Sequence, residues 1–169
     1  AYEITYGDWS SDVCSSDLES HGTTVVSLDD RPALDVYLDA YDAPAEVRDN
    51  PEAFFRFAHT RPIGIARRNR TEIRYVYSAD YEKRTVTVFA EVPQGAMAYL
   101  MQGSCNSVLE ATAEVCALAE ESLEGLPARG FMVLECVARK SLLDQEGLLD
   151  ASLRLPDRKS TRLNSSHRT

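Results

Sequence analysis

The sequence predicts an α+β fold: a largely antiparallel or mixed sheet with helices packed on it, in a domain that is incomplete. Three observations predict it. Over residues 62–102 apolar side chains recur at every second position, the period of a half-buried strand. On either side, over 32–41 and 107–126, the period lengthens to that of an amphipathic helix. The joints inside the period-two stretch are too short for crossover helices, so neighbouring strands there should pair antiparallel.

Taken in order, "TTVVSL" (23–28) is rich in β-branched residues and reads as a strand. Asp29, Asp30 and Pro32 then mark a helix start, since carboxylates favour the positive end of the helix dipole and proline fits the first turn. Leu34, Tyr37, Leu38 and Tyr41 make its apolar face, and Asp35, Asp39 and Asp42 its wet one. "RDNPEAFFRFAHTRP" (48–62) reads as a second helix, with Asn50 as N-cap and Pro51 at the first helical position. Pro62 stops it, because the residue before a proline is pushed out of helical geometry.

"PIGIARR" (62–68) is a short strand, and residues 71–102 read as three more, joined at 79–83 and 93–95. Strands connected this tightly should pair in sequence order, as a meander. Ile73, Tyr75 and Tyr77 share one face; Val86, Val88, Ala90 and Val92 share another. Helical period returns in "SVLEATAEVCALAEESLEGL" (107–126), where Ser107 and Glu110 have capping-box spacing. Val108, Thr112, Val115, Ala119 and Leu123 point inward with Cys116 beside them, Glu110, Glu114, Glu121 and Glu124 outward, and Gly125 is the stop. "GFMVLECVAR" (130–139) reads as a strand buried on much of both faces, ending in a polar turn at Arg139, Lys140 and Ser141. "EGLLDASLRLP" (146–156) begins another helix.

The two ends read differently. Asp157 to His167 is what the DNA of a short-read sequencing-library adapter encodes, and the opposite strand of the same DNA encodes Asp8 to Leu18. Residues 1–18 and 157–169 are therefore expected to be adapter-derived and non-native, leaving 19–156 as the genuine part. That sets aside Trp9, Cys14 and the cationic tail.

The chain has 169 residues and a net charge of −9 at pH 7. An acidic domain repels phosphate backbones, so nucleic acid is not expected as a partner. No apolar run reaches membrane-spanning length, so no membrane is expected either. Apart from Cys14 the cysteines are Cys105, Cys116 and Cys136, widely spaced and without a Cys-x-x-Cys pair. Neither a zinc site nor a disulfide framework is expected; reduced cysteines in the cytoplasm are.

In their order along the chain, "GTTVVSLDDRPALDVYLDAY", "FAHTRPIGIARR", "IRYVYSAD", "EVPQGAMAYLMQG" and "VLECVARKSLLDQEGL" resemble the C-terminal half of FIST proteins, the F-box and intracellular signal transduction sensory domains. The resemblance covers essentially all of 19–156. It implies a fragment of an intracellular small-ligand sensor in the cytoplasm, with amino-acid-like ligands, and haem in some relatives. It also implies missing pieces: the N-terminal FIST half, and the end of the C-terminal half with its Gly-x-Tyr-Thr-Tyr-Gly-Glu-like motif. A sheet cut within a domain leaves an open edge, so the chain is expected to be prone to aggregation.

Arg139 and Cys136 are the first ligand-binding candidates, at the end of the strand expected over 130–139, where α/β architectures often hold ligands. Arginine clamps a carboxylate through two parallel hydrogen bonds. The plainer alternative is a buried cysteine, with Arg139 capping a carbonyl or pairing with Asp144 or Glu146. Arg61 and Arg74, with Arg67 and Arg68, form either an anion patch or a solvated strand face. His59 is either a haem or metal ligand or a helix-end histidine beside the negative dipole end. Met97, Tyr99 and Met101 read as core. No nucleophile elbow, zincin motif or phosphate loop is present, so no enzyme is expected. Two alternatives stay open: a cysteine-dependent enzyme using Cys136 with His59 as base, and a purely structural or interaction half-domain.

Overall fold

The computed structural model describes residues 10–15, 17–68, 70–130, 132, 134 and 136–154. The expectations for 1–9 and 157–169 lie outside the described residues. The chain forms two compact units: Trp9–Gly103, and Ser104–Thr169 together with Ala1–Asp8.

The first unit holds two antiparallel sheets and three helices. Its elements are β1 (Ser10–Ser15), β2 (Leu18–His21), β3 (Thr24–Leu28), β4 (Arg31–Pro32), α1 (Ala33–Ala40), α2 (Ala45–Asp49), α3 (Pro51–Ala58), β5 (Ile63–Arg67), β6 (Arg70–Arg74), β7 (Val76–Asp80), β8 (Thr85–Val88) and β9 (Ala98–Gln102). One sheet runs β1-β9-β5-β6, the other β2-β3-β8-β7, with β4 on β3. The α+β class is as the sequence predicts.

Of the two longer helices of this unit, α3 starts as its residues read. The start read for α1 at Asp29, Asp30 and Pro32 is corrected: Asp29 and Asp30 form a turn at positive φ, Arg31–Pro32 is β4, and α1 begins at Ala33 without a side-chain cap. In α1, Ala33, Leu34, Tyr37 and Leu38 are buried on one stripe, and Asp35 on the outer side meets Arg84. In α3 the Asn50 side chain accepts the Glu52 N–H at 2.9 Å, and Pro51 opens the helix. The short α2 between them escapes periodicity arguments, since only Val47 of its residues is buried. After β7, the Asp80 carboxylate accepts the N–H groups of Glu82 and Lys83 at 3.0 and 2.9 Å. Those bonds hold its pKa below the ordinary value, the Lys83 N–H first, and close the turn into β8.

The expected meander holds only in part. β5 pairs with β6, from Ile63 opposite Arg74 to Arg67 opposite Arg70, and β7 pairs with β8. At Tyr75 the chain changes sheet, so the run read as one strand becomes β6 and β7 in different sheets. β9 does not pair with β8; it returns to lie beside β5, Ile63 opposite Leu100. The reason is edge availability. β8 already has β3 on one side and β7 on the other, whereas β5 has a free edge opposite β6.

The core between these elements includes Leu18, Val25, Leu34, Tyr37, Leu38, Phe54, Ile63, Ile65, Val76, Val86 and Leu100. Tyr37 and Phe54 are fully buried, with ring centroids 5.6 Å apart. Burying each such side chain contributes about 1.5–3 kcal/mol. Gly64 in β5 is there because nothing larger fits: a Cβ would fall inside contact distance of Met101 Sδ and 2.6 Å from Thr71 Cγ2.

The second unit is helical where described: α4 (Cys105–Glu121), α5 (Val137–Gln145) and a further helical segment over 149–154. Four expectations need correcting. The capping box lies one turn earlier than read: Ser104 accepts from the Ser107 N–H at 3.1 Å, and Ser107 Oγ accepts from the Ser104 N–H at 3.0 Å. The expected inward stripe is only half-buried at Val108, Thr112, Val115 and Cys116 on α4 and at Leu123 past its end, Ala119 is exposed, and Ala111 is the buried residue of the helix. The strand expected over 130–139 is not seen among the described residues there. Met132 and Leu134 lie exposed without regular structure, Val137 to Arg139 belong to α5, and Phe131, Val133 and Glu135 lie outside the described residues. A strand buried on two faces needs a flanking strand to satisfy its N–H and C=O groups, and this unit has none among its described residues. The polar turn expected at Arg139, Lys140 and Ser141 is helix for the same reason.

Candidate functional site

Arg61 stands where α3 ends and β5 begins, and its surroundings come from three elements. Its guanidinium lies 4.1 Å from the ring centroid of Phe57 (α3) and 5.7 Å from that of Tyr41, just past α1. These are cation–π distances. Tyr37 of α1 donates its hydroxyl to the Arg61 carbonyl, and Tyr41 donates to the Met101 carbonyl at 2.7 Å on β9. Burial pushes the Tyr37 and Tyr41 pKa values up, with Arg61 opposing, so both phenols stay protonated as donors.

The hydrogen bonds of the Arg61 side chain leave from Nη1, to the Phe57 carbonyl at 2.6 Å and Thr60 Oγ1 at 3.4 Å. Its Nε–H is buried and has no acceptor among the described residues. Leaving a buried donor unmade costs about 1–3 kcal/mol. Other arginines of this unit are occupied differently. Arg31 and Arg48 both hold Asp39, at 2.8 and 2.9 Å, which keeps that carboxyl below its ordinary pKa. Arg67 and Arg74 hold Glu72, and Arg84 holds Asp35. Arg61 is half-buried and carries no carboxylate among the described residues. Nε and Nη2 form one edge of the guanidinium fork, the edge that grips a carboxylate with two parallel bonds.

The remaining candidates are engaged otherwise. The Arg74 side chain is only 12% exposed and reaches Glu72 Oε2 at 2.9 Å, the Glu91 carbonyl at 3.0 Å and the Ile73 carbonyl at 3.4 Å. Arg74 is therefore an internal brace. Arg139 donates from Nη2 to Thr112 Oγ1 and, at 2.6 Å, to the buried Ser152 Oγ, tying α4, α5 and the 149–154 helix together. Cys136 precedes α5 as its N-cap residue, exposed and without a side-chain cap bond. The structure thus puts neither residue at the end of a strand. Arg61, Arg74 and His59 belong to the first unit, Cys136 and Arg139 to the second.

His59 is 5% exposed, its ring 4.5 Å from Phe55 and 5.8 Å from Tyr75 by centroid. His59 is thus a buried ring packed between Phe55 and Tyr75. No cluster of three or more His, Cys, Asp or Glu suited to a metal occurs among the described residues. Met101 is core, as read, whereas Met97 is exposed and accepts the Tyr99 hydroxyl at 3.1 Å. Sequence reasoning missed Tyr41 and Phe57 as walls around Arg61. Their helical spacing announced only an apolar face, not which cation it would meet.

Residues 33–157 match the family model of the FIST C domain. The chain belongs to the FIST C family. FIST C domains are sensory domains of signal transduction, and the matched stretch runs from α1 through both units. No curated protein and no solved structure matches the chain. No described helix is long and apolar enough to cross a membrane.

Proposed function

We propose that this FIST C domain binds a small carboxylate-bearing, amino-acid-like ligand at Arg61, as the sensing step of a cytoplasmic signalling protein. One observation carries the reading: a half-buried guanidinium with a buried, unused Nε–H and no carboxylate of its own, in a chain whose net charge is −9. A ligand carboxylate on the Nε and Nη2 edge would satisfy that donor and neutralise the cation. Phe57 and Tyr41 hold the guanidinium plane in place, which lowers the ordering cost of binding.

The role proposed for Arg139 is structural, because its hydrogen bonds to Thr112 and Ser152 join three helical segments. The test is a thermal-shift screen of amino acids and dicarboxylates on the full chain. A true ligand at a hundredfold its Kd stabilises by about 2.7 kcal/mol. Arg61→Gln, checked for folding by circular dichroism, abolishes the shift, while Arg61→Lys retains part of it. An equal shift in Arg61→Gln, or none with any carboxylate in the wild type, rejects the assignment.

A further inference from the structure

The three cysteines of the second unit hold different positions in it. Cys105 opens α4, Cys116 lies three turns further along the same helix, and Cys136 stands immediately before α5. All three are free thiols; Cys105 and Cys116 are half-buried and Cys136 is exposed. What relates them is the register of the two helices, which contact each other. Arg139 of α5 donates to Thr112 of α4. Seven residues before Thr112 stands Cys105, and seven residues after Arg139 stands Glu146. These two also meet: burial first, and then the Glu146 carboxylate, push the Cys105 thiol pKa up. Contacts that step backwards on one helix and forwards on the other belong to an antiparallel pair.

The same register brings two thiols to one level. Four residues on from Thr112, about 6 Å along α4, is Cys116; three residues back from Arg139, about 4.5 Å along α5, is Cys136. Both steps run the same way along the pair. Residues 105, 112 and 116 fall within about 40° of arc around α4, so Cys116 shares the face that meets α5. Cys105 is not a partner for either. It lies about 16 Å from Cys116 along one helix, and beside the opposite end of α5 from Cys136. The backbone at Cys136 is extended and the residue makes no side-chain cap bond, so the helix start does not tie its Sγ down.

We infer that Cys116 and Cys136 form a redox modification site, joined by hydrogen peroxide into a disulfide across α4 and α5. The exposed Cys136 thiolate attacks the peroxide; the O–O bond breaks, hydroxide leaves and Cys136 becomes a sulfenic acid. The Cys116 thiol then attacks that sulfur, the S–O bond breaks and water leaves. Two thiols and one peroxide thus give one disulfide and two waters, the thiols losing two electrons and the peroxide gaining them. The bond ties the N-cap of α5 to α4 and makes 116–136, with the exposed Leu126, Met132 and Leu134, a closed loop. Cytoplasmic disulfides of this kind are transient and redox-sensing. The site is independent of Arg61, so either assignment can fail alone.

The test uses the full chain, reduced and then given a small excess of hydrogen peroxide. Digestion with trypsin and a glutamate-specific protease separates the three cysteines for mass spectrometry, because Glu110, Glu114 and Arg129 lie between them. The expected product is an intrachain Cys116–Cys136 crosslink, reversed by dithiothreitol and formed at the same rate in Cys105→Ser. In Cys116→Ser the Cys136 sulfenic acid persists and is trapped by dimedone. Serine is close to cysteine in size, so these variants keep their helices, as circular dichroism checks. Moving the thiol one residue, with Cys136→Ser and Val137→Cys together, turns it about 100° around the helix start. That misplacement slows crosslinking by about tenfold. A crosslink to Cys105 or Cys14, crosslinks only between chains, no crosslink at all, or equal speed from position 137 overturns the inference.

Discussion

Leu100 and Leu134 both lie in apolar stretches that read as strands, yet Leu100 is 4% exposed and Leu134 is 90% exposed. The first belongs to the unit Trp9–Gly103, where β5 receives β9 and closes a ladder over the core. The second belongs to the helical unit, where no described strand offers an edge. Similar letters thus have opposite fates. What separates them is whether the backbone finds a partner, because burying a strand without satisfying its N–H and C=O groups costs more than its side chains return.

The contrast can be broken at its strong end. Phe54→Ala empties a fully buried site between Tyr37 and Tyr81. It is expected to cost about 3–5 kcal/mol in urea unfolding; a loss under about 1 kcal/mol would mean that the first unit is not the well-packed one. A finer probe is Gly64→Ala, whose Cβ collides with Met101 and Thr71. It should cost about 1–3 kcal/mol. Adding Met101→Ala should make the Gly64→Ala step cheaper than it is alone, read as a double-mutant cycle, because the colliding thioether is then gone. Additive losses would place the strain elsewhere. At the weak end, Leu134→Ser should change stability by no more than about 0.5 kcal/mol, as for an exposed side chain. A loss of several kcal/mol there would show that Leu134 is buried and the two units are alike.

Much of the first unit was legible. The caps at Asn50 and Pro51, the stripe of Leu34, Tyr37 and Leu38, and the period-two runs each depend on neighbours within a few residues. The break at Tyr75 was not, since Ile73, Tyr75 and Tyr77 keep one alternation while the chain passes from one sheet to the other. The capping box was displaced because Ser104 and Ser107 both fit the chemistry, and only the first turn of α4 selects between them. Of the site, Arg61 was named and Arg74, Arg139 and Cys136 were named with it. Nothing local tells a guanidinium spent on Glu72, or on Thr112 and Ser152, from one whose Nε–H has no acceptor.

By itself the sequence determined the α+β class, the second long helix, the apolar stripe of the first and the existence of most strands. Those follow from residue chemistry and short-range periodicity, which the chain carries everywhere along its length. Only the tertiary structure decided which strands became neighbours, that Met132 and Leu134 lie exposed outside any described strand, and which arginine keeps a buried Nε–H with no acceptor among the described residues. Those are questions of who meets whom across the chain, and a donor is spent or spare only once its neighbours are in place.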